Sequence, residues 1–131
     1  MTLEFTENSA YEHVRLVTAE ALLQEIRSDV PVTVLDVRTR EAIHASGAIH
    51  GERVFPFGQL SGRLTELMSC QSMPIVVISQ SGRRAVAAAQ QLQATGFTEV
   101  FVLENGLQRW MDLGYPLEAR RDSTQSPLSV R

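Results

Sequence analysis

The stretch Pro74-Ile75-Val76-Val77-Ile78-Ser79-Gln80-Ser81-Gly82-Arg83-Arg84 sets the reading of the whole chain. Its first half is the most apolar short run in the sequence and is rich in β-branched residues, as in a strand covered on both faces. An alanine-rich helical pattern, Ala85-Val86-Ala87-Ala88-Ala89, follows. Residues 79–84 are therefore expected to be a tight loop between the C-terminal end of a buried strand and the N-terminus of a helix. An open α/β sheet places its ligands there. Free backbone N–H groups and the helix dipole favour an anion at such a point.

The same alternation extends outward on both sides. Val14 to Val17 reads as a short first strand. Thr18 is a good N-cap for a helix over 19–27, with Glu20 in its first turn and Leu22, Leu23 and Ile26 on one face. Val32 to Val37 is a strong strand, and Thr39 caps a short helix over 40–45. Val54-Phe55 is expected as a third strand, stopped by Pro56. Leu60, Leu64, Leu67 and Met68 suggest one helix over about 60–68. The helix after the loop is expected to end near Ala94, with Gly96 closing it. Val100 to Leu103 is the last strand, and residues 107–113 the last helix. Such alternation argues for one α/β domain: about five parallel strands with helices on both faces. Residues 1–12 are expected to be a loose arm, 13–118 the domain, and 119–131 a disordered tail.

Composition narrows the function classes. The chain has 131 residues, 44% hydrophobic and 21% charged, with a net charge of -3. Nothing in the total favours nucleic acid or an anionic membrane, so any anion site must be local. The acidic start lacks the basic and apolar regions of a signal peptide. No apolar run approaches the roughly 20 residues of a membrane span. The one cysteine, Cys70, allows no internal disulfide and no thiolate zinc cluster. His13, His44 and His50 lack metal-binding spacing. A cytoplasmic protein with no metal and no cofactor is expected, and no nucleic-acid or membrane partner.

The order of several short motifs resembles the single-domain rhodaneses. These are Leu35-Asp36-Val37-Arg38, the Ser-Gly-Arg-Arg loop, Gly96-Phe97-x-x-Val100, and Asn105-Gly106-x-x-x-Trp110-x-x-x-Gly114-x-Pro116. The resemblance covers roughly Arg15 to Glu118. It implies that Ser79 stands at the position of a nucleophilic cysteine that accepts a sulfane sulfur and carries it as a persulfide. Gln80, Ser81, Gly82, Arg83 and Arg84 would form the surrounding anion- or substrate-binding loop, with Asp36 and Arg38 supporting it. Implied partners are a small sulfur-containing or other oxyanion and an acceptor or partner protein. Ala48 also departs from the family, which usually reads Gly-His-Ile there.

Serine changes the expected chemistry. A hydroxyl needs an adjacent base to act as a nucleophile, and an oxygen cannot carry a persulfide. No ordinary sulfurtransferase turnover is expected from the chain as written. The reading that follows is an anion- or partner-binding, regulatory module in sulfur metabolism. The alternative is a thiosulfate sulfurtransferase represented by a Cys-to-Ser variant. Cys70 is placed at the opposite edge of the sheet, about 15 Å away by strand length. Arg38 is expected to pair with Glu41, Trp110 to anchor the last helix, and His50 to be solvated.

Overall fold

The computed structural model describes residues 14–119 and a strand at 6–7. In chain order the elements are β1 (Thr6–Glu7), β2 (Arg15–Val17), α1 (Ala19–Arg27), β3 (Thr33–Asp36), α2 (Arg40–Ser46), β4 (Arg53–Val54) and α3 (Phe57–Leu60). A 3-10 helix (Leu64–Cys70) leads to β5 (Ile75–Ile78), α4 (Arg83–Ala94), β6 (Val100–Leu103) and α5 (Gly106–Asp112). The sheet order is β1-β2-β6-β5-β3-β4. Five strands run parallel, and β1 is antiparallel to β2.

The period of two along each central strand sorts the core into two layers. Ile75 and Val77 of β5, Val100 and Val102 of β6, and Leu35 of β3 face one side. There they pack on Ala85, Ala88, Ala89 and Leu92 of α4 and on Leu60 and Leu67. Val76, Ile78, Phe101, Leu103 and Val34 face the other side, against Ala19 and Leu22 of α1 and Leu107 and Trp110 of α5. The unbroken apolar runs are thus required by burial on both faces. The three alanines are small enough to seat α4 closely on the sheet.

Helix ends follow their capping chemistry. Thr18 Oγ1 accepts the Ala21 N–H at 3.0 Å, and Thr39 Oγ1 accepts that of Ala42 at 3.1 Å. Gly96, at φ +105°, lies just past the end of α4 in a conformation that favours glycine. Trp110 is buried at 1% exposure and donates its indole N–H to the Pro116 carbonyl at 2.9 Å, so it anchors α5 as expected.

Four expectations need correction. Residues 6–7 are not part of a loose arm: Thr6 and Glu7 pair with Leu16 and Arg15. The helix expected over 60–68 is two pieces, broken at Ser61-Gly62-Arg63. The second piece is a 3-10 helix, whose period of three stacks Leu64, Leu67 and Cys70 on one face. The third strand is Arg53–Val54, one residue earlier than expected. Arg38 pairs with Asp36 rather than Glu41. The rest of the arm, His13 and the tail from Arg120 lie outside the described residues.

Gly106 is the tightest point of the fold near the loop. Its φ is +61°, and an added Cβ would lie 2.5 Å from both the Ser79 and Gln80 carbonyl oxygens. Gly106→Ala is therefore expected to cost about 2 kcal/mol or more, from left-handed strain and the backbone clash. Gly58→Ala is the control. That glycine lies in α3 with nothing within 4 Å of its added Cβ, and its change should be neutral or stabilising by up to about 1 kcal/mol. Urea unfolding of the two variants checks the contrast. Equal stability would contradict the close approach.

Candidate active site

The loop from Ser79 to Gly82 is fixed from two sides. From behind, α5 holds its carbonyls: the Leu107 N–H donates to Ser79 O at 2.9 Å, and the Gln108 N–H donates to Gln80 O at 3.1 Å. These are N–H groups of the first helical turn, which have no partner within their own helix. The carbonyls of Ser79 and Gln80 are thereby committed to α5. From within, Ser79 Oγ accepts the Gly82 N–H at 3.1 Å and the Ala85 N–H at 3.2 Å. Gly82 makes the bend at φ +101° and is the N-cap of α4.

Ser79 is therefore the hub of the loop, only 3% exposed. Gln80, Ser81, Arg83 and Arg84 are exposed around it. Together they form one wall of a pocket of about 290 Å³, whose other wall is Arg38, Thr39 and Ala42. The structure thus brings the sequence-predicted residues to one place: the loop residues surround the pocket, Gly82 shapes it, and Arg38 lines it. Asp36 lies behind Arg38. Among the described residues, no carboxylate or imidazole lines this pocket. Its charged groups are arginines, and the helix dipole of α4 adds a positive end.

Arg38 is 3% exposed and Asp36 fully buried. Arg38 grips the Asp36 carboxylate through Nε, at 3.1 Å from each oxygen, and through Nη2 at 2.7 Å. The Arg38 backbone N–H donates to Oδ1 at 3.0 Å. Its remaining donors reach the end of α2, at Ser46 Oγ and the Gly47 carbonyl, each at 2.8 Å. Arg38 thus ties the end of β3 to α2, and with it one wall of the pocket.

Glu52 is the site residue that the sequence did not reveal. It is 4% exposed and accepts the Ile49 N–H at 3.1 Å. Burial pushes its carboxyl up to about 9, helped by its hydrogen bond to Asp36 and by the Asp36 charge. The Ile49 amide and Arg38 pull the other way. A Glu between Gly51 and Arg53 reads locally as a surface turn. Only the pairing of Asp36 with Val54 across β3 and β4 brings this turn beside the Asp36 carboxylate.

Two residues lie apart from the pocket. His50 is exposed and meets Glu118 at 2.9 Å, and it does not line the pocket. Cys70 Sγ lies 3.7 Å from Thr33 Oγ1, at the start of β3 and so at the opposite edge of the sheet from Ser79. Among the described residues, no three His, Cys, Asp or Glu gather to hold a metal. No described helix is long and apolar enough to cross a membrane.

The rhodanese-like domain family matches residues 18–113, and the chain belongs to that family. A Bacillus subtilis protein, YrkF, whose name marks it as a candidate sulfur carrier, is 32% identical over 97 residues, covering 72% of this chain. The chain spans only 49% of the length of YrkF. A rhodanese-related protein of Thermoplasma volcanium is 28% identical with a TM-score of 0.71, covering 80% of this chain and 98% of that one. The thiosulfate sulfurtransferase of Pseudomonas aeruginosa shares the fold at a TM-score of 0.75 and 23% identity, covering 86% of this chain and 22% of that one.

The buried carboxyl makes stability depend on pH. Folded Glu52 stays protonated up to about 9, whereas an unfolded glutamate ionises near its ordinary value. Between these points the folded state binds one more proton. Its contribution is complete below the ordinary value and is lost as pH rises through about 9. The slope is up to about 1.4 kcal/mol per pH unit. Glu52→Gln should remove this slope, so that its stability relative to the parent rises steadily from about pH 5 to pH 9. Urea unfolding at several pH values reads the difference. Parallel curves would contradict a buried neutral Glu52.

Proposed function

We propose that the pocket at Ser79 to Arg84 is an anion cradle in a sulfur-handling module that binds without turning over. The observation carrying this reading is the position of Ser79 Oγ. It accepts two backbone N–H bonds at the centre of the loop, where a cysteine sulfur would sit in an active family member. The chain keeps the apparatus around the nucleophile and lacks the nucleophile.

The chemistry explains why serine suits binding and not transfer. A thiolate at this point attacks the outer sulfur of thiosulfate. One S–S bond forms, another breaks, and sulfite leaves with the bonding pair. An acceptor such as cyanide or a protein thiol then takes the sulfur and regenerates the thiolate. A serine hydroxyl cannot start this sequence without a base, and among the described residues the pocket lining offers none. The same absence argues against a serine hydrolase. A neutral hydroxyl also removes the negative charge that a thiolate would place in the cradle. With its oxygen occupied by two N–H donors, the Ser79 hydroxyl still has a proton to give to a bound anion.

The ligand is a small sulfur-containing or other oxyanion, free or presented by a partner protein in sulfur metabolism. The kinship with YrkF supports the sulfur setting. Binding without turnover suits a regulatory use. The exposed Arg83 and Arg84 at the pocket mouth would meet the anion or its carrier.

Ser79→Cys tests the reading. Thiosulfate consumption with cyanide as acceptor should appear at a rate at least about a hundredfold above the parent, or about 2.7 kcal/mol in barrier. Binding of unreactive sulfate to the same variant should weaken at least about tenfold once the thiol ionises. A variant with neither effect would show that the loop is not an anion cradle around residue 79.

A further inference from the structure

The pocket has a buried charge problem behind it. Asp36, Arg38 and Glu52 are all 4% exposed or less. Arg38 grips the Asp36 carboxylate, and the pairing of Asp36 with Val54 brings the turn that holds Glu52, fixed by the Ile49 N–H, up against the same strand end. One guanidinium balances one carboxylate. Two ionised carboxylates beside it would leave a net negative charge away from water, which is costly. The cluster is balanced when Glu52 carries a proton and hydrogen-bonds Asp36. Asp36 then holds Arg38, and Arg38 lines the pocket.

We propose that Glu52 is a positioning residue for the cradle, whose proton keeps the Asp36–Arg38 pair neutral in sum and so preserves the pocket's affinity for anions. Losing that proton adds a buried negative charge behind the pocket wall. It also offers Arg38 a second carboxylate to turn towards, at the expense of its hold on Ser46 and Gly47. Both effects weaken anion binding. This inference rests on the anion-cradle reading above.

Few other charges bear on Glu52. Among the described residues, Asp36 and Arg38, at the end of β3, are the charged groups that act on it. From its own turn it receives the Ile49 N–H. The α2 end gives Arg38 only a hydroxyl and a carbonyl. His50 in the same turn meets Glu118. Arg53, next on β4, reaches the Glu66 carbonyl at 3.2 Å. Arg63 and Glu66 pair with each other on the exposed surface.

The test is sulfate titration of the parent and of Glu52→Gln from pH 7 to pH 10, followed by calorimetry. Sulfate keeps its charge over this range, so the protein supplies any pH dependence. The parent should lose about tenfold in affinity across the range. Glu52→Gln, which keeps a neutral donor towards Asp36, should lose less than about twofold. Equal losses in both proteins would overturn the proposal. If the variant does not fold, NMR titration of the carboxyl-labelled parent decides. A Glu52 carboxyl that ionises in the ordinary glutamate range refutes it. One that ionises near pH 9, together with a shift of the Arg38 Nε–H, supports it. If the parent binds no sulfate at any pH, the cradle reading itself fails. The Arg38 Nε–H titration still reports separately whether Glu52 controls that arginine.

Discussion

The site depends on a backbone grip between two helices. The first N–H groups of α5 hold the carbonyls of Ser79 and Gln80, while the start of α4 shares Ser79 Oγ. The carbonyls accept from α5, and Ser79 Oγ accepts from Gly82 and from Ala85 of α4. The loop therefore has little freedom, and its polarity is set before any ligand arrives. Such preorganisation is what makes aligned donors effective at binding charge. The grip needs the backbones to touch, and Gly106 lets them. That glycine lies far along the sequence from the loop and has no side chain to suggest a functional role. Its part in the site is to leave room.

A second constraint acts from below. The Asp36–Arg38 pair is buried and well satisfied in geometry, with the guanidinium donating to Asp36, Ser46 and Gly47. Buried ion pairs contribute little net stability, but losing one partner leaves the other stranded at high cost. Here the pair fixes the end of β3 against α2 and so fixes the pocket's second wall. Glu52 fits this arrangement only as a neutral acid. The resemblance places a histidine at position 48, and here Ala48 is completely buried beside that corner. The polar group near Asp36 comes from four residues further on.

Much of the fold was legible because each element reports its own environment. Thr18 and Thr39 announced their helices through capping chemistry, and α1 falls over the residues expected. The runs at 75–78 and 100–103 carried the signature of strands covered on both faces. The loop was legible because a buried strand and a helix start bracket it. Other features depend on distant residues and left little local signal. Strand β1 exists through pairing with β2, and two residues cannot show a period. The helix expected over 60–68 failed because Leu60, Leu64, Leu67 and Met68 satisfy a period of 3.6 loosely, whereas burial selects Leu67 and Cys70, three apart. Glu41 looked like the partner of Arg38 on helical spacing. A fully buried carboxylate two residues back, already at the strand end, competes better. Glu52 was silent because its burial comes from strand pairing and not from its neighbours in sequence.

The most direct measurement is a ¹H–¹⁵N NMR titration of the unmodified chain with thiosulfate. An anion held by the cradle shifts the backbone amides of residues 79–85 and the Arg38 Nε–H together. The shifts share one saturation curve, and sulfate competes for it. Saturable shifts centred elsewhere, or no saturable shifts in the loop, would contradict an anion cradle organised around Ser79.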